Sequence, residues 1–127
     1  MITKEEILNV SKLDAFERYN YFIKKVADQE LIYTLAFEGK IAIAEVKNSK
    51  LISIWSAAEF AKEYATQEWE NYDVVNFSLD EFKEKIGNLV VENRFLVNVF
   101  SVANKTGFIV NWSEFWRDLE EELEQYY

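Results

Sequence analysis

Apolar residues recur along the chain with two periods, one typical of helices and one of strands. Residues 11–28 carry apolar side chains every three to four positions, as an amphipathic helix does. A shorter helix is predicted over residues 3–10, with Thr3 and Glu6 at capping-box spacing. Residues 31–38 alternate instead, which predicts a strand. The stripe of the longer helix consists of Leu13, Phe16, Asn20, Ile23 and Ala27, widened by Tyr19, Phe22 and Val26.

Further runs with strand periodicity are separated by turn signals. Gly39 and Asn48 lie in two of them, so the first three strands are predicted to form an antiparallel meander. Gly87 and Asn88 predict the end of the fourth helix. The predicted strands cover residues 31–38, 41–46, 51–55, 73–77, 94–102 and 108–112. The order ααβββαβαββα predicts an α+β fold with helices packed on a mostly antiparallel, six-stranded sheet, in a single domain over residues 1–127.

Three strand-like runs end next to a serine at the start of a predicted helix. The segments Ser56–Glu59 and Ser78–Glu81 have the spacing of a capping box, in which each side chain accepts from the other residue's backbone amide. At the third junction the spacing is one residue shorter. There either Ser113 caps the helix alone or Asn111 pairs with Glu114.

The residue types present exclude much familiar chemistry. The 127 residues include no cysteine and no histidine, which removes disulfides, thiolate nucleophiles, Ser-His-Asp systems and histidine-based metal sites. The three glycines form no phosphate-binding loop, and no calcium loop is present. A pair of carboxylates could still hydrolyse glycosides. Asp73 and Glu92 are candidates for such a pair, but no spacing selects them, so we expect no enzyme activity and no cofactor.

The net charge of −9 is confined to the second half of the chain. Residues 1–58 carry eight acids and eight bases, whereas residues 59–127 carry fifteen acids and six bases. Nucleic acid and anionic membranes are disfavoured as partners, since both require neutralisation by Lys and Arg. A basic protein is favoured, although the charge can also serve solubility alone. The acidic N-terminus and the lack of a long apolar run predict a cytoplasmic protein.

Several segments together resemble a known bacterial family. They are Arg18-Tyr19-Asn20-Tyr21-Phe22-Ile23, Trp55 with Glu59-Phe60-Ala61, Glu68-Trp69 with Tyr72, Ser78-Leu79-Asp80-Glu81-Phe82, the strand through Phe100, and Leu119-Glu120-Glu121-Glu122-Leu123. In this order they resemble the family called domain of unknown function 2750. Members often have a proline soon after the junction tryptophan, where this chain has Ser56-Ala57. The resemblance implies a small bacterial α+β protein and no assigned activity.

The predicted C-terminal helix carries acids where the helix dipole favours cations. Four glutamates crowd its last turns, and Arg117 can reach Glu120 or Glu121. A solvated helix end explains them, and so does a surface for a basic protein partner. For the second interpretation we assign as partner-binding residues Glu120, Glu121, Glu124, Tyr126 and Tyr127.

The aromatic residues and Arg18 allow further interpretations. At their spacings Trp55, Trp69, Tyr72, Trp112 and Trp116 are core residues or line a ligand pocket. Arg18 is predicted to pair with Asp14 on the outside or with a strand-end carboxylate. Alternatively, with Tyr19 and Tyr21 beside it, it anchors an anionic group.

Two hypotheses about function follow from the sequence. The leading hypothesis is a non-enzymatic, protein-binding module, in concrete form an immunity protein that neutralises a basic toxin. The alternative is a small-ligand-binding or regulatory domain with an aromatic pocket. The oligomeric state stays open.

Overall fold

The computed structural model describes residues 2–65, 69–102 and 105–126 as an α+β fold. The α-helices are α1 (Lys4–Ser11), α2 (Ala15–Gln29), α3 (Ala58–Tyr64), α4 (Leu79–Glu81), α5 (Gly87–Asn93) and α6 (Trp112–Leu123). The strands are β1 (Leu31–Phe37), β2 (Lys40–Ile41), β3 (Ala44–Val46), β4 (Ser49–Ile54), β5 (Asp73–Ser78), β6 (Leu96–Val99) and β7 (Phe108–Val110). A π-helical segment, Phe82–Ile86, joins α4 to α5, and a 3₁₀ turn, Glu124–Tyr126, follows α6.

The strands form two sheets, so the prediction of one six-stranded sheet is wrong. The first sheet has the order β2-β1-β5 and the second the order β3-β4-β6-β7. The sheets meet at one antiparallel bridge, where the backbone N–H groups of Tyr33 and Trp55 each donate to the other residue's carbonyl at 2.9 Å. Within the described residues, four of the five strand pairings are antiparallel, and β4 with β6 is the parallel one.

The predicted strand 41–46 is divided between the two sheets. Its first part is β2, which pairs with β1, and its second part is β3, which pairs with β4. Between them, the Ala42 N–H still donates to the Leu35 carbonyl at 2.9 Å. The chain therefore leaves one sheet and enters the other within Ala42-Ile43. Apolar alternation continues through this point, which is why the pattern predicts a single strand.

Two helix starts agree with the spacing in the sequence. At α4 the capping box is complete, with Glu81 N–H donating to Ser78 Oγ at 3.2 Å and Ser78 N–H donating to Glu81 Oε1 at 3.0 Å. At α6 the second alternative holds, because Asn111 Oδ1 accepts from Glu114 N–H at 2.8 Å. The Asn111 side chain also donates to Glu114 Oε1 at 2.7 Å, so Ser113 is not the cap.

The capping box predicted for Ser56–Glu59 does not form. The residue before α3 is Ala57, which has no side chain that could cap, and Ser56 is 2% exposed. The Glu59 carboxylate instead accepts from the Ile2 backbone N–H at 3.4 Å and so ties the N-terminal segment to α3. A capping serine would have to stand one position later.

The helix after β5 does not end at Gly87-Asn88, contrary to the prediction. It continues as α5 to Asn93, and Arg94 ends it in the left-handed conformation with φ 55°. Gly87 has φ −58° and packs against Trp112, whose Cζ2 would lie 3.0 Å from an added Cβ. The glycine therefore permits close packing with α6 and is not a stop signal.

The core lies between the sheets and the helices and takes in the aromatic residues of several elements. On α2 the buried face is centred one position away from the predicted stripe, so Phe16 is 56% exposed. Arg18 is 1% exposed on that same buried face. The largest fully buried side chains include Trp55, Arg18, Phe22, Phe82, Phe100 and Phe115.

The prediction that Arg18 pairs with Asp14 or with a strand-end carboxylate is wrong. Its guanidinium donates to three backbone carbonyls: Leu13 at 2.6 Å, Phe100 at 2.9 Å and Thr106 at 3.1 Å. Burial lowers the pKa of Arg18, and the nearby Asp14 carboxylate offsets part of that effect. The arginine is a structural cation that joins α2 to the segment after β6.

Candidate functional site: the groove between α2 and α6

Helices α2 and α6 pack side by side and leave a groove of about 410 Å³ between their outer faces. We call it the α2–α6 groove. One wall consists of the α2 residues Phe16, Tyr19, Asn20 and Ile23. The other consists of the α6 residues Arg117, Asp118, Glu121 and Glu122 with Gln125 beyond the helix. The two walls differ in chemistry, since one is largely aromatic and apolar and the other is acidic.

A hydrogen bond across the groove fixes the distance between its walls. The Tyr19 side chain is buried, and its hydroxyl donates a hydrogen bond to Asp118 Oδ2 at 2.7 Å. Burial, followed by this bond to a carboxylate, raises the pKa of Tyr19 far above its usual value. The phenol is therefore neutral over the physiological range and holds α6 against α2.

Aromatic contacts hold Phe16 in place while leaving much of its ring open to solvent. Its centroid lies 6.5 Å from that of Tyr19 and 5.5 Å from that of Phe108. Packing against two neighbours limits the freedom of the exposed ring. The groove thus presents a fixed aromatic surface opposite its carboxylates.

The α6 wall carries three carboxylates and one guanidinium, a net charge of −2. Arg117 lies 3.3 Å from Asp118, so it does not pair with Glu120 or Glu121 as predicted. Glu121 and Glu122 make no ion pair within the described residues. These two carboxylates are available to a cation that enters the groove.

The predicted partner-binding glutamates are divided between different sides of α6. Glu121 lines the groove. Glu120 is one residue away, about 100° around the helix, and its carboxylate lies 3.2 Å from the Lys83 ammonium group. That ammonium group also stands 5.0 Å from the centre of the Trp116 ring. Glu120 is therefore held by a neighbouring helix and does not join the groove.

The remaining predicted residues follow the end of α6. Glu124 is exposed and begins the 3₁₀ turn Glu124–Tyr126. Only the backbone of Tyr126 is described, and Tyr127 lies outside the described residues.

Of the nine residues that line the groove, only Glu121 was among the predicted partner-binding residues. Asp118 and Phe16 illustrate why others were missed. Asp118 shares one face with Glu121, Glu122 and Gln125 at helical spacing, so a search at that spacing would have found it. Phe16 belongs to the predicted apolar stripe of α2, so the sequence predicts that it is a core residue. Its exposure depends on how α2 is rotated against α6, which is a long-range property of the fold.

The tryptophans lie mainly in the core. Trp55 is 0% exposed and its indole N–H donates to the Ser101 carbonyl at 2.8 Å, while Trp116 is 8% exposed. Trp69 and Trp112 are partly buried against the core. The cavity beside Trp69 has a volume of about 10 Å³, which is the space of one water molecule at most. These residues give no support to an aromatic ligand pocket.

The structure does not bring the other candidate groups into a site. Asp73 begins β5 and Glu92 lies in α5, and both are exposed. No cluster of three or more Asp or Glu side chains suited to a metal ion occurs in the part of the chain that the structure describes. Among the same residues, the longest apolar helical stretch falls short of what a membrane crossing needs.

Comparison with known proteins confirms the resemblance found in the sequence. No curated protein matches the chain. A family model described as "Protein of unknown function (DUF2750)" matches residues 19–119, a range that includes most of α2 and α6. It excludes α1 and, in the groove, Phe16, Glu121 and Glu122. The chain therefore belongs to the DUF2750 family of proteins of unknown function.

Proposed function

We propose that this protein is a non-enzymatic binding module whose α2–α6 groove takes a basic segment of a partner protein. The observation that carries the proposal is the placement of an exposed aromatic ring, Phe16, opposite the carboxylates of Asp118, Glu121 and Glu122 in one concavity of about 410 Å³. The preferred ligand group is an arginine side chain.

The two walls of the groove suit a guanidinium group in different ways. Carboxylates accept two parallel hydrogen bonds from its planar fork, which a lysine ammonium group cannot supply. Its flat face also stacks on an aromatic ring such as that of Phe16, with attraction from the ring quadrupole. Within the chain itself, Arg117 donates from Nε and Nη2 to one oxygen of Asp118, Oδ1, at 3.3 Å each, while Asp118 Oδ2 accepts from Tyr19. An arginine of the partner would instead bind Glu121 and Glu122, which follow Asp118 on the same wall of the groove.

The negative charge of the second half of the chain, residues 59–127, favours a basic partner over a neutral one. Within the described residues, that half contains fourteen acids, and three of them, Glu81, Asp118 and Glu120, make ion pairs. Most of the excess negative charge is thus not neutralised inside the molecule. Such a surface accelerates association with a positively charged protein, and added salt weakens that effect.

In its concrete form, the partner is a toxin of the nuclease type, and this chain is the immunity protein that covers its active site. A nuclease active site carries Lys and Arg because it must bind phosphates. A carboxylate-rich groove competes for the same positive groups. The absence of histidine and cysteine from the sequence agrees with a role that needs no catalysis.

A titration with a short basic peptide tests the groove as a binding site. The full chain labelled with ¹⁵N would be titrated with tri-arginine amide, and with tri-lysine amide and tri-glutamate for comparison. We expect the backbone signals of Phe16, Tyr19, Asp118 and Glu121 to shift, with tri-arginine bound more tightly than tri-lysine and tri-glutamate not bound. Shifts spread evenly over the acidic surface, or equal affinity for the two basic peptides, would contradict the proposal.

A further inference from the structure

A second concavity, with a volume of about 430 Å³, lies between α1, α3 and the bridge that pairs Val102 with Lys105. We call it the α1–α3 pocket. It shares no lining residue with the α2–α6 groove. Its volume falls within the range of small-molecule sites in proteins, about 300–1,000 Å³.

The floor of the α1–α3 pocket is apolar. Phe60 and Val102 are 3% and 8% exposed, and Ile7 packs against the same core from α1. Leu8 stands on the wall and is 61% exposed, the second-highest exposure among the large apolar side chains described. An apolar ligand lying on this floor would cover Leu8 and remove it from water.

The rim of the pocket is positive, in contrast to the molecule as a whole. Lys4 and Lys105 line it, and neither makes an ion pair within the described residues. Glu63 is the one carboxylate among the lining residues, so the rim carries a net charge of +1 on a chain of net charge −9. This local reversal favours an anionic group on the ligand and disfavours a cationic one.

The apolar floor and the positive rim together define one class of ligand. We propose that the α1–α3 pocket binds a medium-chain aliphatic carboxylate, with its chain against Phe60, Val102 and Leu8 and its carboxylate between Lys4 and Lys105. The carboxylate gains two ammonium partners at the rim, where it stays partly hydrated. The aliphatic chain of the ligand is removed from water where it lies against the apolar groups of the floor and the wall, which favours binding.

The pocket is lined partly by residues outside the range that the family model matches. Four of its lining residues, Lys4, Ile7, Leu8 and Ser11, belong to α1, which lies before the matched range 19–119. Substitutions in α1 therefore test the pocket without altering the residues that the family model matches.

Titration of the full chain with decanoate tests the proposal, with 1-decanol and decyltrimethylammonium as uncharged and cationic comparisons. Binding would be followed by the ¹⁵N–¹H signals of Ile7, Leu8 and Phe60. We expect saturable shifts at these positions with decanoate, weaker binding of decanol and none of the cation. Equal affinity for decanol and decanoate would overturn the role of the rim, and shifts scattered over the surface would overturn the site.

Charge-matched variants separate the rim from the overall charge of the protein. Lys4→Gln with Lys105→Gln should weaken decanoate binding by about tenfold, since a partly exposed ion pair contributes a factor of roughly two to five. Lys40→Gln with Lys50→Gln makes the same change in net charge at exposed lysines outside the pocket and should leave the affinity within about twofold. All four lysines are exposed, so the variants should fold. Equal loss in both double variants would refute the site.

Discussion

The Arg18 Nε donates a hydrogen bond to the carbonyl oxygen of Phe100, 2.9 Å away and 82 positions later in the chain. Phe100 has φ 66°, a left-handed conformation that bulky residues rarely adopt. The same guanidinium also binds the Thr106 carbonyl, so it holds both ends of the segment that follows β6. A buried cation thus fixes backbone in an unfavourable conformation, and α2 and β7 meet beside it.

Replacement of Arg18 by leucine should destabilise the protein severely. The carbonyls of Leu13, Phe100 and Thr106 would lose their donor inside the fold, and we expect a loss of about 3–5 kcal/mol in the free energy of unfolding. Denaturant titration measures it. The exposed Lys24→Ala on the same helix is the control and should stay within about 0.5 kcal/mol. A loss below about 1 kcal/mol in Arg18→Leu would contradict the structural role.

Two glycines should respond differently to substitution by alanine. A Cβ on Gly107 would lie 2.3 Å from the Val99 carbonyl oxygen and 2.7 Å from Asn98 Oδ1, so Gly107→Ala should cost about 3 kcal/mol through steric conflict. Gly39 has φ +81° and nothing within 4 Å, so Gly39→Ala should cost only about 1–2 kcal/mol of backbone strain. Equal losses in thermal or denaturant unfolding would mean that the segment around Gly107 is looser than the structure shows.

Alkaline pH should destabilise the protein through two tyrosines. Burial and hydrogen bonds to Asp118 and Glu6 raise the pKa values of Tyr19 and Tyr21 in the folded state. Above about pH 10 the unfolded chain releases these protons while the folded protein retains them. The free energy of unfolding should therefore fall with rising pH, by up to about 1.4 kcal/mol per pH unit for each tyrosine.

The corresponding phenylalanine variants provide the control for this pH dependence. Tyr19→Phe and Tyr21→Phe each remove one titrating group, and the loss of stability between about pH 10 and 11 should become shallower in each. Comparison with the unmodified chain cancels the titration of lysines. If the double variant lost stability as steeply as the parent protein, the two phenols would not be the groups responsible.

Local patterns were enough to predict most elements, because each depends on neighbouring residues. Alternation located β1 and β5 to within about one residue, and the caps at Ser78 and Asn111 follow from side chains three positions apart. The split between β2 and β3 was not predictable in this way. The split arises where the chain passes from one sheet to the other. Apolar and polar residues continue to alternate through that point, so the pattern predicts a single strand.

Long-range features of the fold and of the groove were beyond the sequence pattern. The parallel pairing of β4 with β6 and the burial of Arg18 depend on elements that lie far apart in the chain. Glu121, one of the glutamates placed against the helix dipole, does line the groove, but Glu120, predicted on the same ground, binds Lys83 instead. Phe16 faces the groove only because α2 is rotated toward α6, and that rotation is set by packing.

Recovery of a partner from the native cell tests the central claim most directly. The chain would be used as bait in three forms: unmodified, Glu121→Gln with Glu122→Gln in the groove, and Glu45→Gln with Glu70→Gln at exposed acids that do not line the groove. The two double variants have equal net charge. The retained proteins would be compared at about 0.1 M and 1 M salt, where the Debye length falls from about 10 Å to about 3 Å.

We predict that one basic protein is retained in nearly equimolar amount by the unmodified chain and by the Glu45/Glu70 variant at low salt. The Glu121/Glu122 variant should lose it, and high salt should reduce it in every form. Retention of the same protein by the groove variant, undiminished at high salt, would contradict the claim that the α2–α6 groove binds a basic partner.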